Sequence, residues 1–274
     1  MNPGLANITV SRTSLFCLSI AVLLLLVLVI VPAIFWRRKH KPETKLRYLF
    51  IGALGFLISA RGLELLLHYF CLIKDSTVSR YITGHTVAYV LYGIITAGIF
   101  EECGRYIILR FFLKKGRTRE NAVLYGIGHG GMEVLIITLP QVALFLIIDI
   151  LISTSGMSGM LSMLHITEET LASVLPTVLT ATHFNAGAAF VFILERILAM
   201  CVHISLTVTV YHGVQHNQHR YLFFAILLHM IVDTFPALYQ RAAVSIIACE
   251  LWMLVWAVLI ALFAARQYKR SAEA

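Results

Sequence analysis

Residues 87–113 read "VAYVLYGIITAGIFEECGRYIILRFFL", an apolar run interrupted in its second half by Glu101, Glu102 and Arg105. A bilayer takes about 20 apolar residues to cross as a helix, so the run is long enough to span. Each charged side chain at the centre of a span costs about 3 kcal/mol on insertion scales, so such residues face other helices rather than lipid. One segment therefore predicts two things: a membrane helix, and further helices around it that supply a polar interior.

The rest of the chain agrees. Its 274 residues are 59% hydrophobic and 13% charged, with mean hydropathy +0.84, against about 25% charge in a soluble domain. Further spans are expected near 14–36, 49–73, 82–112, 121–150, 187–211, 221–239 and 243–265. The predicted fold is an all-α polytopic bundle of about seven spans, forming one integral membrane domain over 1–274. Segment 151–186 is too polar for a clean span and too apolar for a free loop. It reads as an external loop with a short amphipathic helix capped by Thr167, or as a re-entrant segment or an eighth span. The first apolar segment has no cleavage site and is followed by a basic cluster, so it reads as a retained anchor.

Basic residues in the connections set the orientation. "WRRKHKPETKLR", "KKGRTRE", "RQYKR" and Arg220 carry fourteen Lys and Arg, against Arg12, Lys74, Arg80 and Arg241 on the other side. The N-terminus is thus expected outside and the C-terminus in the cytoplasm. The formal net charge of +8 is accounted for by topology and lipid headgroups, which argues against a nucleic-acid partner. The five cysteines fall in predicted spans without a C-x-x-C pair, so neither a disulfide framework nor a zinc knuckle is expected.

Polar residues recur at one depth. Counting about 1.5 Å per residue from the cytoplasmic ends, Glu101 and Glu102 on the third span, His129 on the fourth, His203 on the fifth and His229 on the sixth all lie about 12–15 Å in. One turn deeper, Glu133 follows His129 by four and Asp233 follows His229 by four, where a carboxylate can hold the second ring nitrogen of its histidine. Arg105 follows Glu101 by four and is expected to pair with it. The neighbour Glu102, about 100° around the helix, is left as the candidate general base for a water. Arg61, Glu64 and His68 read as an internal polar ladder. His212, His216 and His219 in "YHGVQHNQHR" read as a solvated loop.

A buried glutamate pair with several histidines suits activation of water for hydrolysis, by the carboxylate directly or through a metal. There is no H-E-x-x-H motif. Ser158 lies in the 151–186 segment, away from the histidine layer, and Asp149 falls at the outer end of its span, so neither a serine nor a paired-aspartate site is expected. No cofactor motif is present; His129, His203 and His229 with Glu102 would make a site suited to zinc. The competing class is a proton- or divalent-metal-coupled transporter, because buried acids and histidines also mark ion pathways. Such a pathway should continue to the opposite face, where the outer halves of the spans read as nearly pure apolar runs. An inactive binding protein that kept the fold would carry the same residues.

"EECGR" at 101–105, Tyr125 four before His129, and "HMIVD" at 229–233 together resemble the CAAX-protease and bacteriocin-processing superfamily, whose members carry EExxxR, FxxxH and HxxxN/D motifs. The spacing is closer to the PrsW and YhfC groups, with EExxK or EExxR, and the chain most resembles the YhfC family of intramembrane proteases. The resemblance covers about residues 85–240. It implies an intramembrane endopeptidase of the prokaryotic cytoplasmic membrane, either glutamate-only or metal-dependent. Its catalytic residues would be Glu101, Glu102, His129, His203 and His229, supported by Arg105, Glu133 and Asp233. The implied substrate is a membrane protein or lipid-linked peptide. The chain departs from the pattern in its shorter Glu-to-Arg spacing and in Tyr125 replacing Phe.

Overall fold

The computed structural model describes residues 8–114 and 116–271, with Glu168 described for its backbone alone. Every regular element among them is helical. Nine helices follow in order: α1 Arg12–Lys39, α2 Arg47–Ile73, α3 Thr77–Gly84, α4 Thr86–Phe112, α5 Arg119–Met163, α6 Glu168–Thr182, α7 Ala186–Gln215, α8 Arg220–Gln240 and α9 Ile246–Arg270. Seven of them, all but α3 and α6, are long and apolar enough to cross a membrane. The chain is an integral membrane protein.

Two of the boundaries that differ from the sequence expectation do so for a local reason. The third span starts at Thr86 rather than 82, because His85 is extended (φ −122°, ψ 117°) and detaches α3. The fourth continues past 150 to Met163. It is broken inside by Gly156 at φ 68°, ψ 176°, a backbone conformation that a side chain would strain. Segment 151–186 is thus mostly helical. The helix capped by Thr167 is present, its hydroxyl accepting from the Thr170 N–H while the Thr170 side chain returns to the Thr167 N–H. Wider π-helical turns occur at Leu57–Glu64 and Val134–Thr138, a feature often found beside functional sites.

The described helices fall into two compact units, Val29–Glu133 with Ile197–Ala274, and Met1–Leu28 with Val134–Arg196. In the first, α2 packs on the opening stretch of α5, α4 on α8, and α8 on α9. Between membrane helices there is no hydrophobic drive, since lipid is as apolar as leucine, so close backbone approach matters. A Cβ on Gly52 would stand 2.1 Å from the Tyr125 carbonyl oxygen, and one on Gly128 would stand 1.9 Å from that of Leu49. With α2 that near, the run 121–131 is buried throughout, and a histidine on it cannot reach lipid. The Trp252 indole N–H donates to the Ile231 carbonyl at 2.8 Å and stacks on Phe235, tying α9 to α8. His212 lies within α7, buried, with Nδ1 2.9 Å from the Ser271 hydroxyl, and is not solvated as its surrounding "YHGVQHNQHR" implied.

In the second unit, Ser14 of α1, Asp149 of α5 and Ala181 of α6 meet. The Ser14 hydroxyl lies 2.6 Å from Asp149 Oδ2 and 2.9 Å from the Ala181 carbonyl oxygen.

Candidate metal centre

Four helices of the first unit each contribute to one cluster. α4 supplies Glu101, Glu102 and Arg105, α5 supplies His129 and Glu133, α7 supplies His203, and α8 supplies His229 and Asp233. The rings of His129 and His203 are 4.8 Å apart and those of His203 and His229 are 5.9 Å apart, so the three histidines come together. Glu102 and His129 are 0% exposed and Arg105 is 1% exposed. Buried polar groups of this kind depend on their neighbours for hydrogen bonds.

The two glutamates divide the cluster differently from the helical-face argument. Arg105 Nη1 donates to Glu102 Oε1, not to Glu101. Positions three and four along a helix are both within reach, so the intrahelical geometry does not choose between them. The cross-helix partners do. Glu101 Oε2 lies 2.9 Å from His129 Nε2 and 3.8 Å from His203 Nδ1. Glu102 Oε1 lies 2.8 Å from His229 Nδ1. Glu102 is therefore held between Arg105 and His229, and Glu101 faces the other two histidines.

The histidine partners split likewise. Asp233 stands 3.3 Å from His229 Nε2, as the i,i+4 spacing implied. Glu133 instead reaches across to His203, with Oε2 2.7 Å from Nε2. His129 Nε2 is already turned to Glu101 and its Nδ1 has no hydrogen-bond partner among the described residues. His203 Nδ1 accepts from Arg105 Nη2 at 3.2 Å. That leaves the His203 proton on Nε2, toward Glu133, because a neutral imidazole donates from one nitrogen and accepts at the other.

Glu101, His129 and His203 each offer a ligand atom, all within 4.8 Å of one another and all buried. The set expected from sequence had Glu102 and His229 in it. The structure puts Glu101 in that place and leaves His229 with Glu102, because Arg105 engages the Glu102 carboxylate. Two imidazoles and one carboxylate form a donor set that divalent catalytic metals take, with a position left open. Glu133 on His203 Nε2 supplies the outer hydrogen bond that ligating histidines carry. The residues present fit a metal ion. Glu102 Oε2, buried and without a partner among the described residues, stands one residue from the donor Glu101.

Of the two rings that flank His129, Tyr125 belongs to the sequence motif and Phe56 had no sequence signal. Phe56 meets the His129 ring edge-on at 5.2 Å, while Tyr125 stacks on it at 6.3 Å. Beyond the cluster, Glu64 sits 3.4 Å from His68 Nε2, and His68 Nδ1 is 2.8 Å from the Tyr92 hydroxyl. This realises the Glu64–His68 part of the expected polar ladder and extends it to Tyr92 of α4, while Arg61 is exposed.

The family description "YhfC intramembrane metalloprotease" matches residues 23–254. The chain is 33% identical over 208 residues to "Uncharacterized membrane protein YhfC" of Bacillus subtilis (strain 168), covering 76% of this chain and 78% of that protein. No solved structure matches.

Proposed function

Because this chain belongs to the YhfC intramembrane metalloprotease family, we propose that it is an endopeptidase that hydrolyses a peptide bond of a membrane protein or lipid-linked peptide. The observation that carries this is the buried group of Glu101, His129 and His203, whose ligand atoms lie within 4.8 Å of one another. Zinc is the ion that suits this donor set. When bound it supplies Lewis-acid polarisation of a carbonyl and lowers the pKa of a water.

The chain's own residues supply the rest. Glu102 Oε1 is occupied by Arg105 and His229, which leaves Oε2 as the basic oxygen. Oε2 takes a proton from the attacking water as the new C–O bond forms. It returns that proton to the leaving nitrogen as the C–N bond breaks, giving a carboxyl and an amine. His229, held on its other side by Asp233, positions Glu102. Arg105 holds Glu102 and is a positioning residue; its hydrogen bond to His203 Nδ1 would give way to a metal on that nitrogen, with Glu133 keeping the proton on Nε2. Depth arguments place this chemistry toward the cytoplasmic side of the bilayer, with the N-terminus and segment 151–186 outside.

The test is to measure zinc content and cleavage of candidate membrane substrates together. Glu101→Gln and His203→Ala should lose bound zinc and activity. Glu102→Gln should keep zinc and lose about 10²- to 10⁴-fold in rate, the usual contribution of a general base. Chelator should abolish cleavage by wild type. Wild-type cleavage that survives both chelator and Glu102→Gln would refute the proposal.

One observation favours a second reading, a proton- or metal-coupled transporter: the chain Glu64–His68–Tyr92 carries polar groups beyond the histidine layer. Proton or zinc flux in proteoliposomes that is lost in Glu64→Gln would favour transport.

A further inference from the structure

The last turns of α1 carry Trp36, Arg37, Arg38 and Lys39 in succession, and the structure uses them in two ways. Trp36 and Arg37 are consumed by the fold. The Trp36 indole donates to the Glu120 carbonyl at 2.9 Å, and Arg37 Nη1 donates to the Thr44 carbonyl at 2.6 Å and to its hydroxyl at 3.1 Å. Arg38 and Lys39 take no part in those contacts, are exposed, and make no ion pair with a described residue. The contact found for either is the Lys39 ammonium 5.8 Å over the Phe35 ring. Val31, Ile34 and Phe35 continue the same side of the helix at 53%, 47% and 61% exposure. Together with Arg38 and Lys39 they line a groove of about 500 Å³.

The spacing 31, 34, 35, 38, 39 is one helical stripe. Its apolar part lies one to two turns from a pair of unmatched cations, which is the layout of a lipid: hydrocarbon first, then a phosphate. Loose tethering to any bilayer would need only the hydrophobic stripe. A matched anion is what two exposed cations without an ion-pair partner among the described residues attract at the interface, and a zwitterionic headgroup supplies it poorly. Topology alone does not separate Arg37 from Arg38; the hydrogen bonds of Trp36 and Arg37 do.

We infer that this outward face of α1 is a docking site for one anionic phospholipid, with acyl chain along Val31, Ile34 and Phe35 and phosphate between Arg38 and Lys39. The leaflet is the one at the Lys39 end of α1. This inference is independent of the protease reading, since none of its residues belongs to the metal centre.

Native mass spectrometry of the protein, titrated with phosphatidylglycerol or phosphatidylcholine, tests it. Wild type should retain one phosphatidylglycerol in preference to phosphatidylcholine, with binding that weakens as salt rises. Arg38→Gln with Lys39→Gln should bind phosphatidylglycerol roughly 10- to 30-fold more weakly, about 1 kcal/mol for each basic residue. Arg12→Gln with Lys74→Gln, an equal loss of charge elsewhere, should bind as wild type does. Circular dichroism checks that each variant keeps its helicity, and the salt dependence of wild type stands on its own if one does not fold. Equal loss in both double variants, no preference between the lipids, or salt-independent binding would overturn the inference. So would a dimer abolished by the same substitutions, which would make a second copy of the chain the occupant.

Discussion

Glu102 and Asp149 are both carboxylates buried at 0% exposure in apolar helices, and they are treated in opposite ways. Glu102 sits among charges: Arg105 and His229 hold one oxygen, and Glu101, His129, His203 and Glu133 lie close by. Asp149 has a hydroxyl beside one oxygen and nothing within hydrogen-bonding reach of the other among the described residues. Ser14 has one proton and two acceptors, Asp149 Oδ2 and the Ala181 carbonyl. Both contacts are filled at once only where the carboxyl itself donates. One is ringed by an arginine and imidazoles, and the other, sharing a serine with a carbonyl, joins helices.

The largest expected effect tests the charged side. Arg105→Gln removes the partner of a buried carboxylate and should destabilise by about 3–5 kcal/mol, read from denaturation in mixed micelles. A loss below about 1 kcal/mol would mean that His229 alone satisfies Glu102. Next, zinc at about a hundredfold over its dissociation constant should stabilise wild type by about 2.7 kcal/mol. Thermal melting should show this shift in Asp149→Asn and lose it in Glu101→Gln. A shift kept in Glu101→Gln would place the metal elsewhere.

On the other side, Ser14→Ala leaves Asp149 without its only observed partner and should cost about 1–3 kcal/mol. The smallest effect belongs to Asp149→Asn. The new amide can donate to Ser14 while Ser14 donates to Ala181, so stability should change by less than about 1 kcal/mol. A large loss there would show that the carboxylate charge matters, and would erase the contrast with Glu102.

The site was legible in part. Glu101, Glu102, His129, His203 and His229 could be found because ionisable residues in spans are costly and few, and a rise of about 1.5 Å per residue fixes depth. His229 with Asp233 was legible because both lie on one helix. The pairings of Glu133 with His203 and of Arg105 with Glu102 were not, since they depend on which neighbouring helix comes nearest. Phe56 was silent because an apolar residue in an apolar span carries no signal.

The membrane, the helices and the cluster of acids and histidines could be read from the residues, because hydropathy and helical rise are properties of the chain alone. Which glutamate faces His129 and His203 and which answers an arginine depends on the helices packed around them. Two adjacent carboxylates on one helix are chemically alike, and the helices packed around them are what make them different.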